Sequence, residues 1–171
     1  MRVGMDHPPI VKSLVWPMEA ATQLFAAALA GQPALRNAFI ELHGELGAGK
    51  TTLVRHLLRA LGVQGRIKSP TYAVVEPYEL PGLAIWHFDF YRFNDPRESE
   101  DAGFRDLFAS PGLKLAEWPE KAAGFLPRAD LVIYLETTSD DARQVTLTAQ
   151  TEVGMALLQA ASHGESNKEL K

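Results

Sequence analysis

One stretch of the chain has the residue types and the spacing of a phosphate-binding loop. Residues 44–52 read GELGAGKTT and satisfy the pattern G-x-x-x-x-G-K-[ST]. Glycines let the backbone curl so that successive N–H groups point at a phosphate chain, and a helix that begins near Lys50 adds its unpaired N–H groups and the positive end of its dipole. In this pattern Lys50 reaches the β- and γ-phosphates, and the hydroxyl of Thr51 holds Mg²⁺. The predicted nucleotide contacts come from Glu45, Leu46, Gly47, Ala48, Gly49, Lys50, Thr51 and Thr52.

The segments on either side of this loop have the character that the motif requires. Residues 38–43 are an apolar-rich run that predicts a strand. Apolar residues then recur at helical spacing from Leu53 to Leu61, and Gly62 is placed to end a helix over residues 50–61. A strand, a glycine-rich turn and a helix N-terminus in this order are the context of a phosphate loop.

Two carboxylates follow apolar runs and could complete a nucleotide-hydrolysing site. Asp89 follows residues 85–88, and Glu117 follows residues 113–116. Because strand ends converge on the ligand crevice of a wound sheet, either acid could hold the metal or orient water. From spacing alone, each acid could equally be a solvent-exposed strand end with no role in a site. His87 and Tyr91 flank Asp89 at a period of two and would share its face in a strand. The more ordinary alternative is that one of them packs in the core while the other hydrogen-bonds a neighbour.

Weaker candidates lie in the segments around these acids. Ser69 and Thr71 occupy a loop beyond the helix, where nucleotide switches direct a hydroxyl toward the γ-phosphate and the metal, although alone this segment indicates only a turn. Arg92 could meet phosphate or an acidic partner, but exposure is the default for arginine. Trp118 could stack on a base or a partner, and burial is the more usual position for tryptophan.

The order of strands and helices predicts an α/β fold, a single P-loop NTPase-like domain with a mixed, partly antiparallel central sheet flanked by helices. Two strand-like runs, the second over residues 83–93, are separated only by Pro81-Gly82, and so short a connection requires an antiparallel pair. Residues 131–135 are apolar throughout, which predicts a strand buried on both faces. Residues 143–149 alternate, which predicts a half-buried strand near an edge. The domain is predicted to span residues 1–161, and residues 162–171 are expected to form a disordered tail.

Composition narrows the class of protein. The 171 residues carry 17 basic and 21 acidic side chains, a net charge of −4, so the chain has no basic excess for holding nucleic acid alone. The absence of cysteine excludes disulfides, thiolate zinc sites and cysteine nucleophiles. No apolar run approaches the ~18 residues of a membrane span, and the N-terminus has no apolar signal core. A soluble, cytoplasmic protein is the expectation.

Four motifs in this order resemble one family, the TsaE or YjeE P-loop ATPases of the bacterial tRNA threonylcarbamoyladenosine pathway. The first is LHGELGAGKTT at residues 42–52, followed by SPTY at 69–72, HFDFYR at 87–92 and EWPE at 117–120. The resemblance covers about residues 17–150. Phe90 stands where a leucine is more usual in the family.

The resemblance implies an ATPase that binds ATP and Mg²⁺ and turns over slowly without partners. Its implied partners are the TsaB and TsaD proteins, which install threonylcarbamoyl on the adenosine beside the tRNA anticodon, with tRNA met only through that complex and no membrane involved. By position, Lys50, Asp89 and Glu117 are the implied catalytic residues, and Thr51, Glu117 and Asp89 the implied metal ligands. Ser69, Thr71 and Trp118 are implied in nucleotide binding.

Two other functions remain open at this point. A small P-loop kinase would transfer phosphate to a metabolite, but such kinases carry an arginine-bearing lid, and Arg97 and Arg105 lie in a segment too short to predict one. A non-hydrolysing module would use the nucleotide only to organise an interface.

Overall fold

A single mixed β-sheet is the centre of the computed structural model, which describes residues 6–67, 70, 74–93, 103–138 and 141–169. Its seven strands are β1 (Asp6–Trp16), β2 (Phe39–His43), β3 (Val75–Leu80), β4 (Leu83–Asp89), β5 (Leu113–Glu117), β6 (Leu131–Thr137) and β7 (Arg143–Thr151). They lie in the order β1-β7-β6-β2-β5-β4-β3. The central strands β6, β2, β5 and β4 are parallel, whereas β3, β7 and β1 pair antiparallel with their neighbours. The predicted mixed sheet and the predicted β3–β4 hairpin are both confirmed.

The helices are α1 (Glu19–Ala30), α2 (Lys50–Leu61), α3 (Phe104–Ala109) and α4 (Glu152–Glu169), with short 3-10 helices at Pro33–Asn37 and Pro119–Ala122. Helix α2 has the bounds that the sequence predicts. It ends at Gly62, whose φ of 111° is a left-handed conformation that glycine adopts without a Cβ penalty. Its buried apolar side chains share one face, which packs on the sheet.

The two faces of the sheet are covered to different extents. One face packs against α1, α2 and α4 and forms the larger hydrophobic core. The other face carries an aromatic cluster that contains Phe39, Phe88, Phe90, Phe93 and Phe104. Since side chains alternate across a strand, the central strands β2, β4 and β5 contribute to both clusters and are buried on both faces.

Strand β6 differs from its prediction. Leu131, Ile133 and Leu135 are buried, but Tyr134 on the opposite face is 48% exposed. The aromatic cluster reaches Val132 and stops there, so the far end of that face is open to solvent. The prediction that residues 131–135 are buried on both faces is therefore wrong. An apolar sequence does not specify whether other parts of the chain cover both faces of the strand.

Two element boundaries also differ from expectation. The run from Leu83 was predicted as a strand to Phe93, but β4 ends at Asp89, and a turn follows in which the Phe93 N–H donates to the Phe90 carbonyl at 2.9 Å. Helix α4 continues to Glu169, beyond the predicted end of the domain at residue 161. The C-terminal tail over residues 162–171 stays a prediction. Among the described helices, none has the length and apolar character that crossing a bilayer requires.

Candidate nucleotide-binding site

The glycine-rich loop connects β2 directly to α2 and closes against the neighbouring strand β6. Gly44 has a φ of 146°, and a Cβ built on it would lie 2.5 Å from the Leu135 carbonyl oxygen. A side chain at this position would collide with backbone, so Gly44 is required for the close approach of the loop to β6. Gly49, with a φ of 107°, is the N-cap of α2, which places Lys50 and Thr51 at the helix N-terminus. The predicted strand–loop–helix context is confirmed.

Lys50 is folded into this loop. It is only 5% exposed, its Nζ donates to the carbonyls of Gly44 and Glu45, and Nζ lies 4.2 Å from the ring centroid of Trp118. Burial lowers the pKa of Lys50, while nearby carboxylates, Glu117 first among them, act in the opposite direction. A partly dehydrated ammonium held by carbonyl oxygens can exchange these acceptors for phosphate oxygens of greater negative charge.

Both predicted carboxylates lie at the loop edge of the sheet, side by side. Asp89 ends β4 and Glu117 ends β5, and the two residues pair in register across the parallel strands. Glu117 is 2% exposed. It accepts hydrogen bonds from Thr51 Oγ1, at 3.0 Å to Oε1 and 3.2 Å to Oε2. The loop hydroxyl and the strand-end carboxylate therefore form one group of oxygen donors.

Asp89 is half-buried next to this group. Its Oδ1 accepts the backbone N–H of Tyr91 at 3.0 Å. Burial raises the pKa of Asp89, and the neighbouring Glu117 acts in the same direction, partly offset by the Tyr91 hydrogen bond. Two adjacent carboxylates favour a cation between or beside them.

The donors in this group suit Mg²⁺. A hydroxyl and carboxylate oxygens are the hard ligands that Mg²⁺ prefers, and Mg²⁺ usually takes only one or two protein carboxylates, with phosphates and water completing its shell. Within the described ranges no cluster of three or more His, Asp or Glu side chains forms an all-protein metal site. The residues present therefore fit a magnesium ion shared with a nucleotide.

His87 anchors Glu117 from inside the core. It is fully buried on β4, and its Nε2 lies 2.6 Å from Glu117 Oε2. Its Nδ1 has no hydrogen-bond partner among the described residues. The sequence left open whether such a histidine packs or hydrogen-bonds a neighbour, and His87 does both.

Trp118 lies in the site and is only half-buried, whereas tryptophan is more usually buried in the core. Its φ is 55°, a left-handed backbone that is strained for a bulky residue. The half-buried ring covers Lys50 and lies 5.0 Å from the ring of Tyr91, which is 40% exposed. The two aromatic side chains form one wall of the site.

A cavity of about 340 Å³ brings most of the predicted residues together. Its lining includes Leu46, Gly47, Ala48, Gly49, Lys50, Thr51, Thr52, Asp89, Glu117 and Trp118. Glu45 contributes a carbonyl acceptor to Lys50. Ser69 and Thr71 lie outside the described residues, and Arg92 is exposed and does not line this cavity.

One residue that lines the cavity was not predicted from the sequence. Arg143, the first residue of β7, borders the cavity and donates from Nε to the Ala48 carbonyl at 2.7 Å. The sequence around it shows only the alternation of a half-buried strand. No local signal could have identified it, because only the order of strands in the sheet brings β7 to the loop.

Comparisons with known proteins identify the family of this chain. The family model described as threonylcarbamoyl adenosine biosynthesis protein TsaE matches residues 16–145. The tRNA threonylcarbamoyladenosine biosynthesis protein TsaE of Haemophilus influenzae is 48% identical over 124 residues, 72% of this chain and 78% of that protein. The protein of the same name from Bacillus subtilis is 37% identical over 110 residues, 64% of this chain and 68% of that protein.

A solved structure extends the likeness to the whole fold. The crystal structure of YdiB from Bacillus subtilis superposes with a TM-score of 0.72 at 28% identity, covering 91% of this chain and 98% of that one. Three of the four family motifs lie at the loop and at the ends of β4 and β5, where their residues line one cavity, and the fourth, at residues 69–72, lies almost entirely outside the described residues. The chain belongs to the TsaE family.

Proposed function

We propose that this chain binds ATP with Mg²⁺ at the loop of residues 44–52 and hydrolyses it slowly in the biosynthesis of tRNA threonylcarbamoyladenosine. The observation that carries the proposal is the contact between the Thr51 hydroxyl at the N-terminus of α2 and the buried Glu117 carboxylate, with Lys50 in the same cavity. The pathway is supported by the family model and by the names of the curated relatives.

The loop and Lys50 would bind the phosphates. Backbone N–H groups at the start of α2 and the helix dipole favour anions at this point. The Lys50 ammonium would exchange the carbonyls of Gly44 and Glu45 for phosphate oxygens. Burial lowers the pKa of Lys50, and a neighbouring phosphate would act in the opposite direction by stabilising the charged ammonium.

Thr51 and Glu117, with Asp89 beside them, would hold the metal. Bound Mg²⁺ would neutralise charge on the phosphates as the terminal phosphoryl group is displaced. Asp89 has a raised pKa, lines the cavity and lies next to Glu117, so it is suited to orient a water molecule and accept its proton. His87 and Thr51 would keep the Glu117 carboxylate in place.

Slow unaided turnover is part of the proposal. Arg143 is the arginine that lines the described cavity, and its donors are directed at backbone carbonyls. A missing arginine finger can cost about 10³–10⁵ in rate, which a partner could restore. We propose TsaB and TsaD as those partners, in the cytoplasm. The net charge of −4 supports an arrangement in which they, and not this chain, hold the tRNA.

ATP hydrolysis by the purified chain tests this proposal directly. We expect slow turnover by the chain alone and a higher rate when TsaB, TsaD and tRNA are added together. Fast turnover that ignores the partners would contradict the proposal, and a phosphorylated metabolite in place of free phosphate would indicate a kinase.

Glu117→Ala separates an ATPase from a nucleotide-organised module. We expect this variant to bind ATP but to lose both hydrolysis and partner-dependent tRNA modification. Glu120→Ala is the matched control, because Glu120 is a nearby but exposed acid outside the cavity lining. If Glu117→Ala supports modification at the wild-type rate, hydrolysis is incidental and the chain acts as a module.

A further inference from the structure

Arg143 is tied to the phosphate loop by its side chain. It begins β7 and pairs with Thr137 of β6 and Trp16 of β1, which places it at the same sheet edge as the loop. Nε donates to the Ala48 carbonyl at 2.7 Å, and a terminal nitrogen lies 3.4 Å from the Gly47 carbonyl. The other terminal nitrogen donates to the Asp141 carbonyl at 2.7 Å. The guanidinium therefore joins the β6–β7 connection to the middle of the loop.

The described partners of this guanidinium are backbone carbonyls, and none of them neutralises its positive charge. The acceptors given above are backbone carbonyls, and within the described ranges no carboxylate forms an ion pair with Arg143. A guanidinium stays charged at all physiological pH values. A bound anion near Arg143 would thus meet a full positive charge.

The contact with Ala48 also fixes the direction of a loop amide. In a planar trans peptide the C=O and the following N–H point in opposite directions, and no peptide in the described chain is cis. By holding the Ala48 carbonyl, Arg143 directs the Gly49 N–H to the opposite side of the loop. An inward set of such N–H groups is what a phosphate loop needs.

Arg143 lies between two cavities. The 340 Å³ cavity with Lys50 and Glu117 is on one side, and a second cavity of about 210 Å³, lined in part by Trp16 and Thr22, is on the other. Arg143 borders both, together with the loop residues Ala48 and Gly49. A ligand that occupied both cavities would therefore lie close to the guanidinium.

We infer that Arg143 is a positioning residue for nucleotide binding, which orients the Ala48–Gly49 peptide and supplies positive charge where the polyphosphate leaves the loop. This inference rests on the proposed function. Loss of a charge-assisted hydrogen bond of this kind corresponds to a change of about 10–100-fold in affinity.

Calorimetric titration with ADP, without partners, tests the inference. We expect Arg143→Ala to weaken ADP binding about 10–100-fold and Arg143→Lys to recover part of the loss, because an ammonium keeps the charge but not the planar fork. In ATPase assays the KM should rise while kcat changes little. Arg36→Ala is the matched control and should bind ADP as the wild type does, since Arg36 also donates to a backbone carbonyl, that of Gly82, but on the β3–β4 turn.

The outcomes separate this inference from the proposed function. Wild-type chain that binds no ADP would overturn the proposed function itself. Wild-type affinity in a folded Arg143→Ala variant would overturn only the role of Arg143, as would a fall in kcat with unchanged KM. If Arg143→Ala does not fold, Arg143→Gln decides in the same way, because its amide can still donate to one carbonyl but carries no charge.

Discussion

The buried pair of His87 and Glu117 allows a direct test of how the carboxylate of the site is held. Their side chains are 0% and 2% exposed, and 2.6 Å separates Nε2 from Oε2. His87→Leu keeps a side chain of similar size but removes this hydrogen bond. Among the described side chains, Thr51 would then be the remaining partner of Glu117.

The expected loss follows from the burial of the pair. A hydrogen bond to a charged group contributes about 1.5–3 kcal/mol, and removing one partner of a buried ion pair costs about 3–5 kcal/mol. Because Glu117 keeps the Thr51 hydroxyl, we expect His87→Leu to lower the free energy of unfolding by about 2–4 kcal/mol. In a Glu117→Gln background the same substitution should cost about 1–2 kcal/mol less, since a neutral amide is less costly to leave unsatisfied than a carboxylate.

Urea unfolding of the four proteins, followed by circular dichroism, measures this difference. Phe88→Leu is the control, because Phe88 neighbours His87 in sequence but packs in the aromatic cluster on the opposite face. Its cost should be the same in both backgrounds. Equal costs of His87→Leu in the wild-type and Glu117→Gln backgrounds would refute the view that His87 stabilises the charge of Glu117.

Four further substitutions probe the loop and the core. Gly44→Ala should abolish ADP binding in calorimetry and destabilise the fold by about 3 kcal/mol, because its Cβ would lie 2.5 Å from the Leu135 carbonyl oxygen. Gly47→Ala is the control: its Cβ would meet no atom within 4 Å, so it should cost only about 1–2 kcal/mol. Lys50→Ala should remove measurable ATP binding, and unchanged binding would contradict the assignment of the phosphate loop. Burial lowers the pKa of Lys114 below its ordinary 10.5, so at this side chain the native state binds fewer protons than the unfolded state, and the contribution of Lys114 to stability should rise as the pH approaches 10.5. The urea midpoint of Lys114→Met should rise less over this pH range than that of the wild type. Equal dependence on pH in the two proteins would contradict the lowered pKa of Lys114.

The parts of the site that depend on residues close together in the sequence could be predicted from the sequence. The loop, the bounds of α2 and the carboxylates at strand ends follow from local patterns, and the structure places Asp89 and Glu117 at one sheet edge because parallel strands end together. The hairpin was predictable for the same reason, since two residues cannot form a crossover.

What the sequence could not supply is the set of contacts between distant elements. Arg143 and Ala48 are 95 positions apart, and Thr51 and Glu117 are 66 apart. Each contact depends on the order of strands and on their register, which no local pattern specifies. The exposure of Tyr134 was missed for a related reason, because it depends on how far the aromatic cluster extends across the sheet.

The phosphate lysine and the buried acid are coupled through two consecutive residues. Glu117 is the last residue of β5, and the next residue, Trp118, turns the chain through a left-handed conformation that sets its ring against Lys50. The strain of that turn, of order 1–3 kcal/mol, is borne by a strand whose five residues are all buried and whose neighbours β2 and β4 fix its register. Glu117 is fixed in turn by Thr51 and His87. A displacement of Trp118 would therefore disturb the lysine and the carboxylate together, so the end of β5 would couple the proposed binding of phosphate to the proposed binding of metal.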